Sequence, residues 1–365
     1  MARKLKSDRV LFTATILLVG LSIVMVYSAS AVVALQKTGR PSVFLIKQGL
    51  WAALGMAVVG IVMRLDYRNY RAPAFLWSSL AFAVAGLVLV LFSPPVNNAR
   101  RWFAVGGLGI QPSELAKLAA IFFISALLER RMHRIQEIGY ALAPILILVL
   151  GLVGLILIEP DFGTAMSLAL IAGVMVFAAG LDYTYIVGAI LALVPTVTIL
   201  IMSASYRRRR WLTFLNPWDD PLGDGFQIIQ SLIAVGTGGV FGRGLMNGVQ
   251  KLFFLPEPHT DFIYAVIAEE LGLVGATAVV ICFCVITWRG LRTSLRAPDR
   301  FGALLALGLT TMVAIQAFVN VSVVLGLMPT KGIPLPFVSA GGSSLLINLL
   351  GMGVLLNVSQ HASEP

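Results

Sequence analysis

Runs of about 20 apolar residues, each long enough to cross a hydrocarbon layer roughly 30 Å thick, recur along the whole chain. They fall at 11–35, 43–63, 74–92, 112–128, 139–158, 162–180, 184–203, 262–288, 303–327 and 337–358. A segment in lipid must satisfy its own backbone hydrogen bonds, and none of these runs alternates polar and apolar residues as a barrel strand does. The expected fold is therefore all-α, a polytopic membrane bundle of about ten transmembrane helices. Composition agrees: 58% of the 365 residues are hydrophobic and 12% charged, where a soluble chain carries about 25% charged residues. A water-soluble globular protein is excluded.

The net charge of +10 comes from 27 Lys and Arg against 17 Asp and Glu. In a polytopic membrane protein such an excess records loop orientation and anionic headgroups, so no nucleic-acid partner is expected. Cys282 and Cys284 lie in one apolar run, where they face different ways on a helix and set no disulfide framework. MARKLKSDR precedes an apolar stretch from Val10 to Leu35 that lacks a small-residue cleavage site, and this reads as a retained first span. Fourteen Lys and Arg lie before the first span and in 64–73, 129–138 and 288–302; the opposite short loops hold five, Lys37, Arg40, Arg100, Arg101 and Lys331. Both termini are therefore expected in the cytoplasm. The segment 204–261 is expected as a long extracytoplasmic loop between helices 7 and 8, because loops of that length cross largely regardless of charge. With no internal repeat and no appended soluble part, 1–365 reads as a single membrane domain.

Polar motifs crowd the outer face. Arg100, Arg101 and Trp102 precede a span opening Gln111-Pro112-Ser113-Glu114, with Lys117 one turn on. Glu114 and Lys117 share a helix face at i,i+3 and together suit a polar cavity better than a capped helix with a snorkelling Lys117, whereas an interfacial anchor would explain Trp102 equally well. Glu159, Pro160 and Asp161 form a hinge between two spans. Its carboxylates need arginines or a metal as partners, unless Asp161 is simply a helix cap. Arg207 to Arg210, flanked by Tyr206 and Trp211, suit bidentate binding of a diphosphate or plain headgroup attraction. A short helix over 226–235 should follow. The glycine-rich run 236–244, which carries Arg243, lacks the strand and third glycine of a dinucleotide fingerprint.

The sharpest segment is Leu255-Pro256-Glu257-Pro258-His259-Thr260-Asp261-Phe262, with Glu269 and Glu270 two turns further. The prolines stiffen the approach to Asp261 at the membrane edge. A partly desolvated carboxyl there would have a raised pKa and would be a stronger base toward a hydroxyl; the alternative is an ordinary N-cap. His259 has no second His or Cys beside it, so zinc is not expected. The run 329–344 adds Lys331, Ser339 and a Gly-Gly-Ser-Ser entry to the last span, which packing alone would also explain.

RRW at 100–102, QPSELAK at 111–117, EPDFGT at 159–164, NPWDDPLGDGFQIIQS at 216–231, LPEPHTDFIYAVIAEELG at 255–272 and PTKGIPLPFVSAGGSS at 329–344 together resemble the SEDS family of bacterial membrane proteins. The resemblance spans essentially the whole chain, and its wording is closer to the division branch than to the elongation branch. Ala340 departs from it, standing where the family usually carries Tyr. The resemblance implies a multi-pass protein of the bacterial cytoplasmic membrane, a peptidoglycan glycosyltransferase that polymerises lipid II. It implies that Asp261 matches an essential aspartate and Trp102 an activity-linked tryptophan. The implied partners are lipid II, undecaprenyl diphosphate, a class B penicillin-binding transpeptidase and other divisome membrane proteins. No Ser-x-x-Lys with Lys-Thr-Gly is present for crosslinking.

On this reading Asp261 takes the proton of an acceptor hydroxyl in an inverting transfer. Arg100, Arg101, Lys117, Arg243 and Lys331 hold diphosphates, with Glu114, Glu159, Asp161, His259 and Ser339 completing the substrate site. Magnesium or manganese bridging a diphosphate to Glu114 or Asp161 stays open. Two rivals remain. In a lipid-linked precursor flippase, Lys117, Glu159, Glu269 and Glu270 would line a path; in a scaffold the chain would carry no chemistry.

Overall fold

The computed structural model describes residues 7–95, 99–105, 108–203, 205–223 and 225–362. Arg3, Lys4, Lys6, Asp224 and the side chains of Tyr206 and Arg207 lie outside the described residues.

Helix α1 (Arg9–Thr38) starts behind Asp8, whose Oδ1 accepts from the amides of Val10 and Leu11 at 3.0 Å, and stops at Gly39 with φ 71°. These are an Asx cap and a left-handed glycine end. After α2 (Val43–Val62), α3 (Pro73–Val90) and α4 (Pro112–Arg131) each open on a proline, which loses no hydrogen bond at that position. Then follow α5 (Ala143–Ile158), α6 (Phe162–Ala178), α7 (Tyr183–Met202), α8 (Ser205–Leu215), α9 (Phe226–Gly238), α10 (Ile263–Arg296), α11 (Arg300–Val324) and α12 (Gly342–Ser359). Helices coincide with all ten apolar runs. Among the described residues, seven stretches are long and apolar enough to cross a membrane: α1, α2, α3, 138–158, α10, α11 and α12.

In α11 and α12, 72% of the apolar window is buried, against 22–44% in the other five, so these two helices form the centre. Helices α2, α4, α6 and α10 pack around them. The outer helices turn Phe82, Ile147, Leu150 and Trp288 outward, as surfaces that meet acyl chains must.

Three features depart from the sequence reading. First, Phe103–Val105 (β1) and Leu108–Ile110 (β2) form a small antiparallel hairpin, with Phe103 opposite Ile110. Second, the segment 204–261 contains one more helix than expected. It holds α8, which carries the arginine run, and α9, on the helix expected over 226–235. Third, α10 is interrupted at Gly272 (φ 68°, ψ −164°), where any Cβ would overlap the Gly242 backbone. Residues 239–244 fit into that break: Leu273 N–H donates to Gly239 O at 2.9 Å and Arg243 N–H to Glu269 O at 3.0 Å. Hydropathy measures only length and polarity, so this break was invisible in the continuous run 262–288.

At the end of the bundle where α10 gives way to α11, a 3₁₀ turn, Tyr67–Arg71, packs against α3, α4, α11 and α12. The fully buried Tyr67 donates from its hydroxyl to Asp299 Oδ2 at 2.5 Å, while Asp299 Oδ1 caps α11 through Gly302 N–H at 2.7 Å. Tyr67→Phe should therefore cost about 1.5–3 kcal/mol, the range for a hydrogen bond to a charged partner. An unchanged thermal unfolding midpoint in detergent would show the bond to be idle.

Candidate active site

Asp261 stands where the chain turns into α10, and its backbone is pinned residue by residue. His259 O accepts from Ala340 N–H at 2.9 Å, Thr260 O from Ser339 Oγ at 2.6 Å, and Asp261 O from Asn320 Nδ2 at 2.8 Å. Asn320 also donates to Ile333 O at 2.8 Å, tying the 329–335 loop to the same point. The carboxyl itself accepts no hydrogen bond and joins no ion pair among the described residues. The N-cap of α10 is Phe262, with no side-chain bond, which removes the capping alternative for Asp261. A Cβ on Gly332 would lie 3.2 Å from Asp261 Oδ2, so glycine there admits the loop to the carboxyl's edge.

Burial pushes the Asp261 carboxyl up to about 7 from its ordinary 3.8. Glu257 and Asp161 add to the rise, while Arg101 and Arg210 oppose it. An acid balanced there gives up its proton near neutral pH and takes one back readily, which suits a general base.

The 159–161 hinge lies within electrostatic reach. Arg101 donates from Nε to Glu159 O at 3.2 Å and from Nη2 to Pro160 O, so the guanidinium fork grips the hinge by its carbonyls rather than its carboxylates. Asp161 caps α6 through Thr164 N–H at 3.2 Å and also accepts from Gln111 Nε2 at 3.0 Å. Glu159 is fully buried with neither carboxyl oxygen partnered among the described residues. Burial, then the charge of Asp161, lifts its pKa to about 8 against the pull of Arg101. Lys331 sits 4.9 Å over the Phe162 ring at the start of α6, and burial lowers its ammonium to about 8. Arg210 Nη1 reaches Thr330 O at 3.3 Å and so brings α8 to the same place.

Other expected site residues have partners elsewhere. Glu114 and Lys117 form a buried ion pair, Nζ to Oε1 at 2.7 Å. Arg100 donates to Leu91 O, just past α3, at 2.8 Å. Arg243 reaches Glu269 at 3.8 Å, and Glu269 and Glu270 bind the 246–251 segment rather than facing an open path. Trp102 lies against Gly109 of the hairpin, where a Cβ would come within 3.1 Å of the indole. The His259 ring packs 4.8 Å from Phe44, and burial lowers its basicity. Ser339 holds Thr260 and accepts from Leu335 N–H at 2.8 Å. Ala340 contributes through its backbone amide, a contact that does not depend on the side chain the family usually carries there. Asn320 and Gly332 were not singled out from the sequence. Two amides one turn apart in a largely apolar span, Gln316 and Asn320, were the available signal for Asn320.

Fold and site together define a polytopic helical membrane protein with a group of carboxyls and cations, Asp261, Glu159, Asp161, Arg101 and Lys331, gathered at one end of its bundle. The FtsW/RodA/SpoVE family profile, described as "Cell cycle protein", matches residues 8–364, and the chain belongs to that family. It is 44% identical over 356 residues to "Probable peptidoglycan glycosyltransferase FtsW" of Geobacter metallireducens, covering 96% of this chain and 94% of the relative. It is 42% identical over 361 residues to "Stage V sporulation protein E" of Bacillus subtilis, covering 99% of each. Among solved structures it is similar to a chain of a peptidoglycan synthase complex that coordinates polymerisation and crosslinking (TM-score 0.78, 31% identity, 97% of each chain). It is also similar to RodA of Thermus thermophilus (TM-score 0.70, 27% identity, 98% of each).

Proposed function

We propose that this protein is a peptidoglycan glycosyltransferase that polymerises lipid II into β-1,4 glycan strands at the outer face of the bacterial cytoplasmic membrane during division. The observation that carries the reading is a carboxyl held by three backbone anchors, free of any partner among the described residues and balanced near neutral pH, within electrostatic reach of Arg101 and Arg210. On the reading of ten crossings with both termini in the cytoplasm, which the lysine and arginine distribution supports, that end faces outward.

In the transfer, Asp261 takes the proton from the acceptor sugar's 4-hydroxyl as its oxygen bonds to the donor's anomeric carbon. The bond from that carbon to undecaprenyl diphosphate breaks with inversion. Negative charge grows on the departing diphosphate, and Arg101, Arg210 and Lys331 supply cations at that rim. Among the described residues no three His, Cys, Asp or Glu could hold a metal by themselves, but magnesium uses one or two carboxylates plus substrate phosphate oxygens. Glu159, with two buried oxygens unpartnered, fits that role beside Asp161; Glu114, closed on Lys117, does not. Magnesium or manganese bound there would neutralise diphosphate charge. A class B penicillin-binding transpeptidase would crosslink the product alongside other divisome membrane proteins.

Purified full-length protein, with and without such a transpeptidase, should convert lipid II to glycan strands. Movement of labelled lipid II between leaflets without strand formation would replace this reading with the flippase. Arg101→Gln removes a cation that holds the Asp261 proton affinity down and frees the hinge carbonyls. The rising limb of the pH–rate profile should then move to higher pH, and the rate at pH 7 should fall about tenfold, the equivalent of one lost charged hydrogen bond. A profile that stays in place would detach Arg101 from the base.

A further inference from the structure

At the end of the bundle opposite Asp261, a cleft of about 420 Å³ opens between the last turns of α4, α6 and α10 and the first turns of α11. Its volume lies in the range of small-ligand sites, about 300–1,000 Å³. Met132, Leu291, Leu295, Leu304 and Leu307 make its walls apolar, and Arg300 is the charged residue on its lining. The adjoining α10–α11 corner carries Arg292 and Arg296, and none of these three arginines makes a hydrogen bond or ion pair among the described residues.

The acids nearby are committed elsewhere. Asp299 accepts from Tyr67, from Arg68 at 3.2 Å and from Gly302; Asp8 pairs with Arg289 at 2.6 Å; Glu129 pairs with Arg71 at 3.5 Å. The cleft therefore presents apolar walls under an uncompensated cationic rim, complementary to a molecule with an anionic head and acyl chains. The lysine and arginine distribution puts this end in the cytoplasmic leaflet, where anionic phospholipids meet such rims.

We propose that this cleft binds one anionic diacyl phospholipid, its phosphate at Arg300 with Arg296 and Arg292 behind, and an acyl chain along Leu291, Leu295, Leu304 and Leu307. The site is separate from the transfer chemistry and stands or falls independently of it.

Trp288 provides the test. It is 67% exposed and precedes Leu291 and Leu295 by three and seven residues, on one face of α10. Full-length protein in detergent is titrated with phosphatidylglycerol or phosphatidylcholine carrying dibrominated chains, and quenching lost in Trp288→Phe isolates this indole. Phosphatidylglycerol should half-quench at about a tenfold lower concentration, the scale expected from one or two arginines at a lipid surface. Arg300→Gln should reduce that preference to about two- to threefold, and Arg300→Lys should keep most of it. Equal quenching by the two lipids, or a preference untouched by Arg300→Gln, overturns the proposal. So does displacement of the brominated phosphatidylglycerol by undecaprenyl phosphate at lower concentration than by unbrominated phosphatidylglycerol, which would make this a substrate-type lipid site.

Discussion

Asp261→Asn should lower lipid II polymerisation by about 10²–10⁴-fold, the contribution of a positioned general base, and make the protein harder to unfold at pH 8. The two effects share one cause. A carboxyl at about 7 when folded and 3.8 when unfolded holds a proton that the unfolded chain releases. Between those values the folded state binds more protons, so stability falls as pH rises from about 4 to about 7. By pH 8 the full cost of the buried charge is present, at most about 4 kcal/mol and less for a group partly open to water. Asparagine has no charge to bury, so its gain in unfolding midpoint should be small at pH 5 and larger at pH 8. Parental polymerisation should rise with pH to a plateau above neutrality as Asp261 deprotonates, and the variant should lack that rise. A structural carboxylate would show the reverse pattern, losing stability when replaced. Parental polymerisation by the variant, or a lower midpoint at pH 8, would sink the assignment.

How far the sequence reveals this depends on the range of the forces involved. The spans, the proline-stiffened approach to Asp261 and the 159–161 hinge are local patterns, and the helices and loops fall on them. Whether Asp261 caps its helix or stands free is not local. The answer comes from Asn320, 59 residues away, and from Ser339, 79 residues from Thr260. The i,i+3 spacing of Glu114 and Lys117 predicts that they can touch, and they do. It says nothing of which way the pair faces, which is set by the packing of α4 against α11 and α12. Glu159 reads as a hinge acid in either case. Its isolation appears only once Arg101 is seen to spend its fork on the carbonyls beside it.

The second large effect belongs to a charge pair outside the transfer site. Glu270 accepts from Lys251 Nζ at 2.5 Å, from Ser28 Oγ at 2.7 Å and from Met246 N–H at 3.0 Å, with lysine and glutamate 4% and 0% exposed. Glu269 beside it accepts from Val249 N–H at 2.7 Å and Gln250 N–H at 3.2 Å. Residues 246–251 thus wrap two carboxylates so closely that a Cβ on Gly248 would lie 3.0 Å from both. Gln250 O in turn accepts from Leu255 N–H at 2.8 Å, where the approach to Asp261 begins. Removing one partner leaves the other charge buried and uncompensated, a loss of about 3–5 kcal/mol, whereas removing both with apolar replacements is often close to neutral. Glu270→Met and Lys251→Met should each lower the unfolding midpoint sharply and take polymerisation with it, because the Asp261 approach loses its anchor. Lys251→Met/Glu270→Met should recover most of the stability. Polymerisation should recover less, since Met246 N–H and Ser28 would still lack the carboxylate that fixes the wrap. Two single variants each costing under about 1 kcal/mol and adding simply in the double would mean that the ion pair anchors nothing.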